Sequence, residues 1–430
     1  MGGMFQTMMN AWRIPDLRKK MVFTFFAILI YRFGVAIPTP MIDAAAFSAL
    51  VDRFGQLGQF LDIISGGAFK SVSVLALGVS PYINASIIMQ LLTFAIPALE
   101  RLSKEGEEGQ KKIKKITRYV TLGLGLVMAT SYALLTRGVT TPGIPEWLSL
   151  VVVIVSFAAG AAFVMWLGEQ IDQRGVGNGV SLIIFIGIAS SLPGYASRLF
   201  VYFQNITAVR SIALAILFVL VVLVLFVVLI AFVVFVQSAE RRIPVQYTKR
   251  VVGRKVYGGQ STYLPIKVNQ SGVLPVIFAM SLLMVPSTIA SMTGSQGKFA
   301  QWLMNFNSNP LYYVVYALLI IAFTFFYAMI SFNPLEVARN MQKNGGYILG
   351  IRAGRPTAEF IGRTAKHLNW VESVFLIIIV LTPSLLGLIT GMQGIWFGGT
   401  AVLILVGVAM DIVTQLEAQM LMRHYKGFLD

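Results

Sequence analysis

The chain has 430 residues, of which 57% are hydrophobic and 12% are charged, and its mean hydropathy is +0.76. The high apolar content excludes a disordered chain. Because about a quarter of the residues of a soluble domain are charged, the low charged fraction also argues against a water-soluble globule. The absence of cysteine excludes disulfides, thiolate metal sites and thiol catalysis. The net charge of +16 would favour nucleic-acid binding in a soluble protein, but in a membrane protein the placement of the basic residues is more informative.

Long apolar stretches follow one another along the chain. A helix needs about 20 mostly apolar residues to cross a hydrocarbon core of about 30 Å. The first stretch is longer than the apolar part of a signal peptide and lacks a small-x-small cleavage site, so we expect it to be retained. The last stretch breaks at Gly391-Met392-Gln393-Gly394, which indicates a tight turn between two helices. The sequence predicts ten spans, at 21–37, 74–96, 119–137, 147–168, 179–195, 211–237, 271–291, 311–331, 373–391 and 396–416.

The basic residues predict the direction of these spans. If the amino terminus is cytoplasmic, 27 of the 34 Lys and Arg residues fall in cytoplasmic segments and 7 near the opposite side. An excess of positive charge is typical of cytoplasmic loops. Because one missed helix would invert every later loop, this split supports the span count and predicts that both termini are cytoplasmic.

The span count also predicts how the chain is divided. Ten spans separate into five and five near the outer loop at 196–210, giving an N-terminal half at 1–205 and a C-terminal half at 206–430. Because five is odd, a second half built like the first is inverted in the membrane, an arrangement that places a passage between the halves. The predicted fold class is an all-α polytopic membrane protein with two inverted five-helix halves around a central pore.

Motifs for catalysis and for ion-coupled transport are missing from the sequence. It contains no HExxH motif and no GxxxxGK[ST] loop, and its Gly-x-Ser matches have no histidine to act as a base. Gly175-Val176-Gly177-Asn178-Gly179 follows a membrane helix instead of a strand, which favours a turn over nucleotide binding. Of the ionisable residues, Arg32 and Asp411 lie near span ends, where snorkelling or one partner satisfies them. We expect neither an enzyme nor a bound cofactor or metal.

A short apolar segment, residues 58–70, precedes the second span. It is too short to cross the bilayer and too apolar for an ordinary outer loop. It is equally consistent with a short helix at about 58–68 tucked into the protein, with Gly66-Gly67 as a hinge, and with a helix lying on the outer leaflet.

Two cytoplasmic connections, at about 238–270 and 332–372, are long and basic. Loops longer than about 15 residues are usually functional or disordered. In the first loop, β-branched and aromatic residues around Gly253 predict a hairpin. Positive loops of this kind suit anionic lipid, ribosomal RNA or an acidic protein surface, and charge alone does not choose among them. For most single Lys and Arg residues, a role in orienting the spans is sufficient.

Six sequence motifs are distributed over nearly the whole chain: Leu77-Gly78-Val79-Ser80-Pro81-Tyr82-Ile83-Asn84-Ala85-Ser86-Ile87-Ile88, Gly168-Glu169-Gln170-Ile171-Asp172-Gln173-Arg174-Gly175-Val176-Gly177-Asn178-Gly179, Arg241-Arg242-Ile243-Pro244-Val245, Leu264-Pro265-Ile266-Lys267-Val268-Asn269, Phe332-Asn333-Pro334 and Gly350-Ile351-Arg352-Ala353-Gly354. They resemble motifs of the SecY family, in the same order. The resemblance implies the central channel subunit of the bacterial Sec translocase, which passes unfolded preproteins across the plasma membrane and releases apolar helices sideways into lipid.

The resemblance assigns roles to aliphatic and polar side chains in the membrane. Without the resemblance, each single aliphatic residue is better explained as an ordinary core residue. A pore ring is implied for Val79, Ile83, Val180, Ile184, Ile277 and Ile404. A movable plug is implied for the segment that contains Phe60, Leu61, Ile63, Ile64, Gly66 and Gly67. Asn84 and Asn269 match polar positions on the two faces of a lateral gate, although each amide could equally cap local backbone.

The resemblance also implies partners, because the chain carries no motor. These are the SecA ATPase or a translating ribosome, the SecE and SecG subunits, the signal sequences of preproteins, nascent chains, and membrane lipid. Arg241, Arg242, Lys249, Arg250 and Arg352 match basic positions that contact SecA or the ribosome. The alternative function, a secondary transporter of a small solute, would need an ionisable or cation-binding site at the membrane midplane.

Overall fold

The structure is a computed structural model that describes residues 4–53, 62, 65–136, 145–209, 211–247, 250–252, 255–257, 261–293, 297, 302–303, 306, 309–390 and 398–426. The chain forms two compact units. The first unit comprises Met1–Ser197 together with Val408–Asp430, and the second comprises Arg198–Gly407. Within the described residues both units are mostly helical, and the named β-strands all lie in the second.

The first unit consists of helices and the turns between them. Its helices are α1 (Met4–Arg13), α2 (Pro15–Val35), α3 (Ala44–Arg53), α4 (Ser80–Ala95), α5 (Pro97–Lys104), α6 (Glu107–Leu135), α7 (Glu146–Arg174) and most of α8 (Gly179–Val209). α6 packs against both α4 and α7, and α2 packs against α7. Phe69, Ala133 and Phe157 form part of a buried core where α6 and α7 meet the turns that precede α4.

The second unit combines membrane helices with a small sheet. Its elements are α9 (Ile212–Ser238), β1 (Glu240–Tyr247), β2 (Arg250–Val252), β3 (Lys255–Tyr257), β4 (Ser261–Lys267), α10 (Leu274–Thr293), α11 (Pro310–Ser331), α12 (Pro334–Lys343), β5 (Gly346–Tyr347), α13 (Arg355–Thr390) and α14 (Gly399–Lys426), whose end belongs to the first unit. α10 packs on α11, and α13 packs on both α11 and α12. Asn309 and Asn333 cap α11 and α12, because each side chain accepts a hydrogen bond from an amide of the first turn.

Each predicted span overlaps one helix of the structure. In chain order these helices are α2, α4, α6, α7, α8, α9, α10, α11, α13 and α14. Within the described residues, six of these are long and apolar enough to cross a membrane: α7, α8, α9, α11, α13 and α14. The pair α4 and α5, bent by 100°, adds a seventh if it is taken as one span. The all-α polytopic class is confirmed, and the ten-span count is consistent with these helices.

The start of the second span differs from the prediction. The sequence predicts a span from residue 74, whereas α4 begins at Ser80 and residues 66–79 form turns. The Ser73 hydroxyl donates to the Gly34 carbonyl (2.8 Å) and accepts from the Leu75 amide (3.1 Å). Pro81 stands in the first turn of α4, where its missing N–H breaks no helical bond. The predicted helix over 74–79 is wrong because hydropathy reports apolar content, not backbone conformation.

The predicted hairpin in the first long loop is confirmed. β2 pairs with β3 in antiparallel register, with Val251 opposite Val256. β1 pairs with β4 from Glu240 opposite Lys267 to Gln246 opposite Ser261. β5, which lies in the second long loop, pairs with the other edge of β1, so the sheet order is β4-β1-β5.

Candidate functional site

Four of the six aliphatic side chains predicted for the pore ring lie at helix starts in the first unit. Val79 directly precedes α4 and is almost fully buried, and its carbonyl accepts from the Ile83 amide (3.0 Å). Val180 and Ile184 occupy the first two turns of α8 with the same four-residue spacing. Residues four apart on a helix share a face, so each helix presents a pair of aliphatic side chains on one side.

Polar groups fix the start of α8. The Asp172 carboxylate of α7 accepts from the Gly179 amide (2.7 Å), and the Asn178 side chain accepts from the Ser181 amide (3.0 Å). Both carboxylate and amide oxygens satisfy amides that a helix start leaves without intrahelical partners. The glycine-rich motif over 175–179 is therefore a connection between α7 and α8, as the sequence predicts.

The second unit supplies the other two predicted ring residues. Ile277 is half-buried in the first turn of α10, and Ile404 is buried near the start of α14. Both are ordinary aliphatic side chains in a helical setting. The assembly of all six side chains into one ring stays a prediction.

The turn over Ser65–Lys70 contains the last two residues assigned to the predicted plug, Gly66 and Gly67. Phe60, Leu61, Ile63 and Ile64 lie outside the described residues. Gly66 and Gly67 have φ values of +68° and +88°, and a Cβ on Gly66 would lie 2.8 Å from the Gly187 Cα of α8. Position 66 therefore requires glycine on two counts, its backbone conformation and its contact with α8.

Side chains of α2 bind this turn. The buried Tyr31 hydroxyl donates to the Ser65 carbonyl (2.9 Å), and the Arg32 guanidinium donates from Nη1 to the Gly66 carbonyl (2.8 Å). The Asp62 carboxylate accepts from the Lys70 amide (2.8 Å). The sequence predicts that snorkelling or a single partner satisfies Arg32 near the end of its span. The Gly66 carbonyl of this turn is such a partner.

The predicted gate amides have different surroundings. The Asn84 amide of α4 lies 3.9 Å from the Met128 sulfur of α6, a weak acceptor. Asn269 lies just after β4, and its Oδ1 is buried without a hydrogen-bond partner among the described residues. Their pairing across a gate stays a prediction.

The two long loops fold together through β1, which pairs with β4 of its own loop and with β5 of the other. Beneath this sheet, Ile243, Val245 and Ile266 pack with Met341 and Ile361. We call β1, β4, α12, β5, the connection from β5 to α13 and the start of α13 the two-loop platform.

Basic side chains predicted to contact partners lie on this platform. Arg241 and Arg242 are exposed on β1, and Arg242 pairs with Glu240 (2.7 Å). Arg352 is exposed in the turn before α13, where its carbonyl accepts from the Thr357 hydroxyl (2.8 Å). Within the described residues neither Arg241 nor Arg352 forms an ion pair. Lys249 lies outside the described residues, and the side chain of Arg250 in β2 is not described.

One buried carboxyl group was missed by the sequence reasoning. Glu372 of α13 has no exposed surface, and its Oε1 accepts from the Ser271 hydroxyl (2.6 Å) and the Ser271 amide (2.8 Å). The sequence prediction assigned Glu372 to the end of a cytoplasmic loop, because the charge-free stretch begins at the next residue. Its spacing from Asn369 and Ser373, three residues before and one after, is the signal for a polar stripe on one helix face.

Comparison with known proteins settles the family. The SecY family model matches residues 73–413. The protein translocase subunit SecY of Streptomyces galbus is 43% identical over 446 residues, covering 98% of this chain and 98% of that protein. The chain belongs to the SecY family. It is thus a subunit of a protein translocase and a multi-pass membrane protein. The SecY family is a family of channel subunits and not a catalytic family.

Solved structures share the fold of this SecY-family chain. One, described as "The structure of a protein conducting channel", has a TM-score of 0.62 and 18% identity and covers 93% of this chain and 92% of its own. Another is Sec61 in a canine ribosome–channel complex, with a TM-score of 0.59, 17% identity and the same two coverages. With the family shown, the function is that of a protein-conducting channel. The alternative of a small-solute transporter has no support in these matches.

Proposed function

We propose that this SecY-family channel passes unfolded preproteins across the plasma membrane of a bacterium and releases transmembrane segments sideways into lipid. A motor outside the chain drives the transport, and the chain itself has no catalytic role. A peptide group costs several kcal/mol in hydrocarbon. The passage therefore needs a watery path that opens for the substrate and closes when idle.

The pore ring closes this path. Val79, Ile83, Val180, Ile184, Ile277 and Ile404 are all aliphatic and lie at or near helix starts. Branched apolar side chains make no directional bonds, so they select no particular substrate sequence, and an empty apolar constriction can lose its water. Segment 58–68 acts as the plug, a role that rests on the resemblance to the family. The turn at Ser65–Lys70, which overlaps the end of this segment and is bound to α2, supports a fixed pivot at that end.

The lateral gate separates the second and third spans from the seventh and eighth. Asn84 and Asn269 stabilise its closed state by about 1 kcal/mol or less. An apolar signal sequence that enters the slot overcomes a bias of this size. The two inverted halves, 1–205 and 206–430, part at this slot, and both termini are cytoplasmic.

Docking of the motor takes place on the two-loop platform. The observation that carries this proposal is that one strand, β1, joins both basic loops into a single folded body. A folded platform holds Arg241, Arg242 and Arg352 in fixed positions for an acidic protein surface or for ribosomal RNA. The partners are SecA or a translating ribosome, with Lys249 and Arg250 adding to the contact. SecE and SecG complete the complex.

Proteoliposomes test this function. The chain is reconstituted with SecE and SecG, and a preprotein, SecA and ATP are added outside. We expect the preprotein to become protected from added protease only when both SecA and ATP are present. Uptake of a small solute down an ion gradient without SecA would instead support a secondary transporter.

A matched pair of variants tests the docking surface. Arg352→Ala is expected to lower SecA-driven transport at least tenfold, because truncating a central interface arginine commonly costs about 2 kcal/mol or more. Lys111→Ala is the control, since Lys111 is also exposed and pairs with Glu107 on its own helix (2.9 Å) but lies on α6, outside the two-loop platform. Equal transport by the two variants would contradict the assigned role of Arg352.

A further inference from the structure

Glu372 is the one charged residue among the described residues that is fully buried. It lies on α13 with Asn369 one turn before it and Ser373 beside it, and both of these are also buried. The neighbouring Trp370 and Val371 are more than half exposed. Over residues 369–373, α13 therefore has a buried polar face toward other elements of the second unit and an exposed apolar face on the other side.

The Glu372 carboxylate holds the segment that leads into α10. Its Oε1 accepts from both the amide and the hydroxyl of Ser271. Ser271 lies three residues before Leu274, where α10 begins. A carboxylate at a helix start satisfies amides that lack intrahelical partners and interacts favourably with the helix dipole.

Several buried oxygens of Glu372 and of its sequence neighbours on both sides of this contact have no donor among the described residues. Four buried oxygens have no hydrogen-bond partner within the described part of the chain: Glu372 Oε2, Asn269 Oδ1, Gln270 Oε1 and Asn369 Oδ1. A buried acceptor without a donor is unfavourable, so this arrangement is held in place by the bonds to Oε1. The cost of these unpaired oxygens offsets part of the stability that the Oε1 bonds contribute, so this contact is easier to release than a fully satisfied one.

We propose that Glu372 is a positioning residue that fastens the start of α10 to α13 and so favours the closed state of the lateral gate. The proposal rests on the proposed function, in which α10 is one face of that gate. Asn269 lies two residues before Ser271, so release of Ser271 would also free the predicted gate amide. A bound cation is the competing explanation for the surplus oxygens. The described residues contain no group of three or more His, Cys, Asp or Glu that could hold a metal ion.

Three substitutions separate these explanations. Glu372→Leu keeps a similar apolar volume but removes the acceptor, so the hold on α10 is lost. Glu372→Gln keeps Oε1 as an acceptor and replaces the unpartnered Oε2 by a donor, so the hold is kept or strengthened. Ser271→Ala removes one of the donors and leaves the amide, so its effect is intermediate.

Hydrogen exchange of the purified complex with SecE and SecG measures the hold directly. In Glu372→Leu we expect amide protection over residues 270–276 to fall about tenfold, which corresponds to about 1.4 kcal/mol. Glu372→Gln should retain wild-type protection. Ser373→Ala is the matched control, because this buried hydroxyl donates to the Asn369 carbonyl of its own helix (2.8 Å). Unchanged protection in Glu372→Leu, or equal losses in Glu372→Leu and Glu372→Gln, would overturn the proposal.

Transport measures the effect on the gate. A preprotein with a less apolar signal sequence should be transported about tenfold faster by Glu372→Leu than by the wild type, since a weaker closed state needs less binding energy to open. If Glu372→Leu does not fold, Ser271→Ala should show the same change at smaller size. If wild-type complexes transport the unmodified preprotein but neither variant relaxes the signal requirement, the role of Glu372 is overturned and the proposed function stands. Failure of the wild type to transport any preprotein would overturn the proposed function itself.

Discussion

Tyr31 and Arg32 are adjacent side chains of α2 that bind successive carbonyls, those of Ser65 and Gly66. Adjacent residues on a helix point in different directions, so the two bonds approach the turn from two sides. The turn over Ser65–Lys70 is thereby fixed to α2. In the proposed channel, this attachment defines the end of the plug that does not move.

Removal of the Tyr31 hydroxyl tests this attachment. Tyr31→Phe should lower the free energy of unfolding by about 1 kcal/mol, because the Ser65 carbonyl loses a buried hydrogen bond. Tyr316→Phe is the control, since the Tyr316 hydroxyl of α11 is buried without a partner among the described residues and its loss should be neutral or stabilising. Thermal unfolding of the purified complex in detergent measures both, and equal destabilisation would contradict the role of Tyr31.

Helix α7 lies in close contact with the turns that precede α4. A Cβ on Gly160 of α7 would lie 1.9 Å from the Val74 carbonyl oxygen, so the two backbones touch there. This contact places Val79 and the start of α4 relative to α7.

Alanine at position 160 should therefore disrupt the packing of this segment. We expect Gly160→Ala to destabilise the complex by more than about 1 kcal/mol, since inserting atoms into a packed core typically costs 1–3 kcal/mol. Gly123→Ala on α6 is the matched control, because no atom lies within 4 Å of its added Cβ and alanine favours a helix by up to about 1 kcal/mol. A stability of Gly160→Ala equal to that of Gly123→Ala, measured by thermal unfolding, would contradict the close contact.

Helices were more predictable from the sequence than turns and contacts. Apolar stretches located helices such as α9, whose composition leaves few alternatives, and a glycine within β-branched residues located the β2–β3 hairpin. The start of α4 was mispredicted because Val72 and Gly78 are apolar or neutral and yet adopt positive φ values. Pairing of β1 with β5 was also not predictable, since it joins segments about 100 residues apart without a sequence signal of its own.

In the candidate site, too, sequence motifs were easier to interpret than contacts between distant residues. The ring role predicted for the aliphatic residues at 79, 83, 180 and 184 rests on the resemblance to the SecY family, because any aliphatic core residue has the same local chemistry. Glu372 was overlooked because its burial depends on Ser271, 101 residues away in the sequence. Long-range partners of this kind decide whether a carboxyl group near a span end faces water or protein.

Most of the basic residues and the predicted pore ring belong to different parts of the chain. All but 7 of the 34 Lys and Arg residues fall in predicted cytoplasmic segments, whereas the six predicted ring residues are uncharged. This distribution suits a channel whose contacts with a motor lie outside the membrane and whose seal lies within it.

Weakening the seal should make the resting channel leak. Replacing Ile83, Ile184 and Ile277 together by Gly removes three branched side chains from the predicted ring and should raise ion conductance in planar bilayers several-fold or more. The corresponding control replaces three exposed residues of α9, Leu217, Leu220 and Val224, by Gly. Resting conductance that stays at the wild-type level in the ring variant would contradict the seal.

Disulfide trapping of a preprotein in transit tests the central claim most directly. Because the chain has no cysteine, single cysteines can be placed at Ile83, Ile184, Ile277 and Ile404, with Phe235 of α9, 74% exposed, as the control position. A preprotein arrested during SecA-driven transport, with one cysteine in its mature part, should form disulfides at the four ring positions and not at position 235. Continued transport with no disulfide at the ring positions, or with equal reaction at position 235, would contradict passage through the ring.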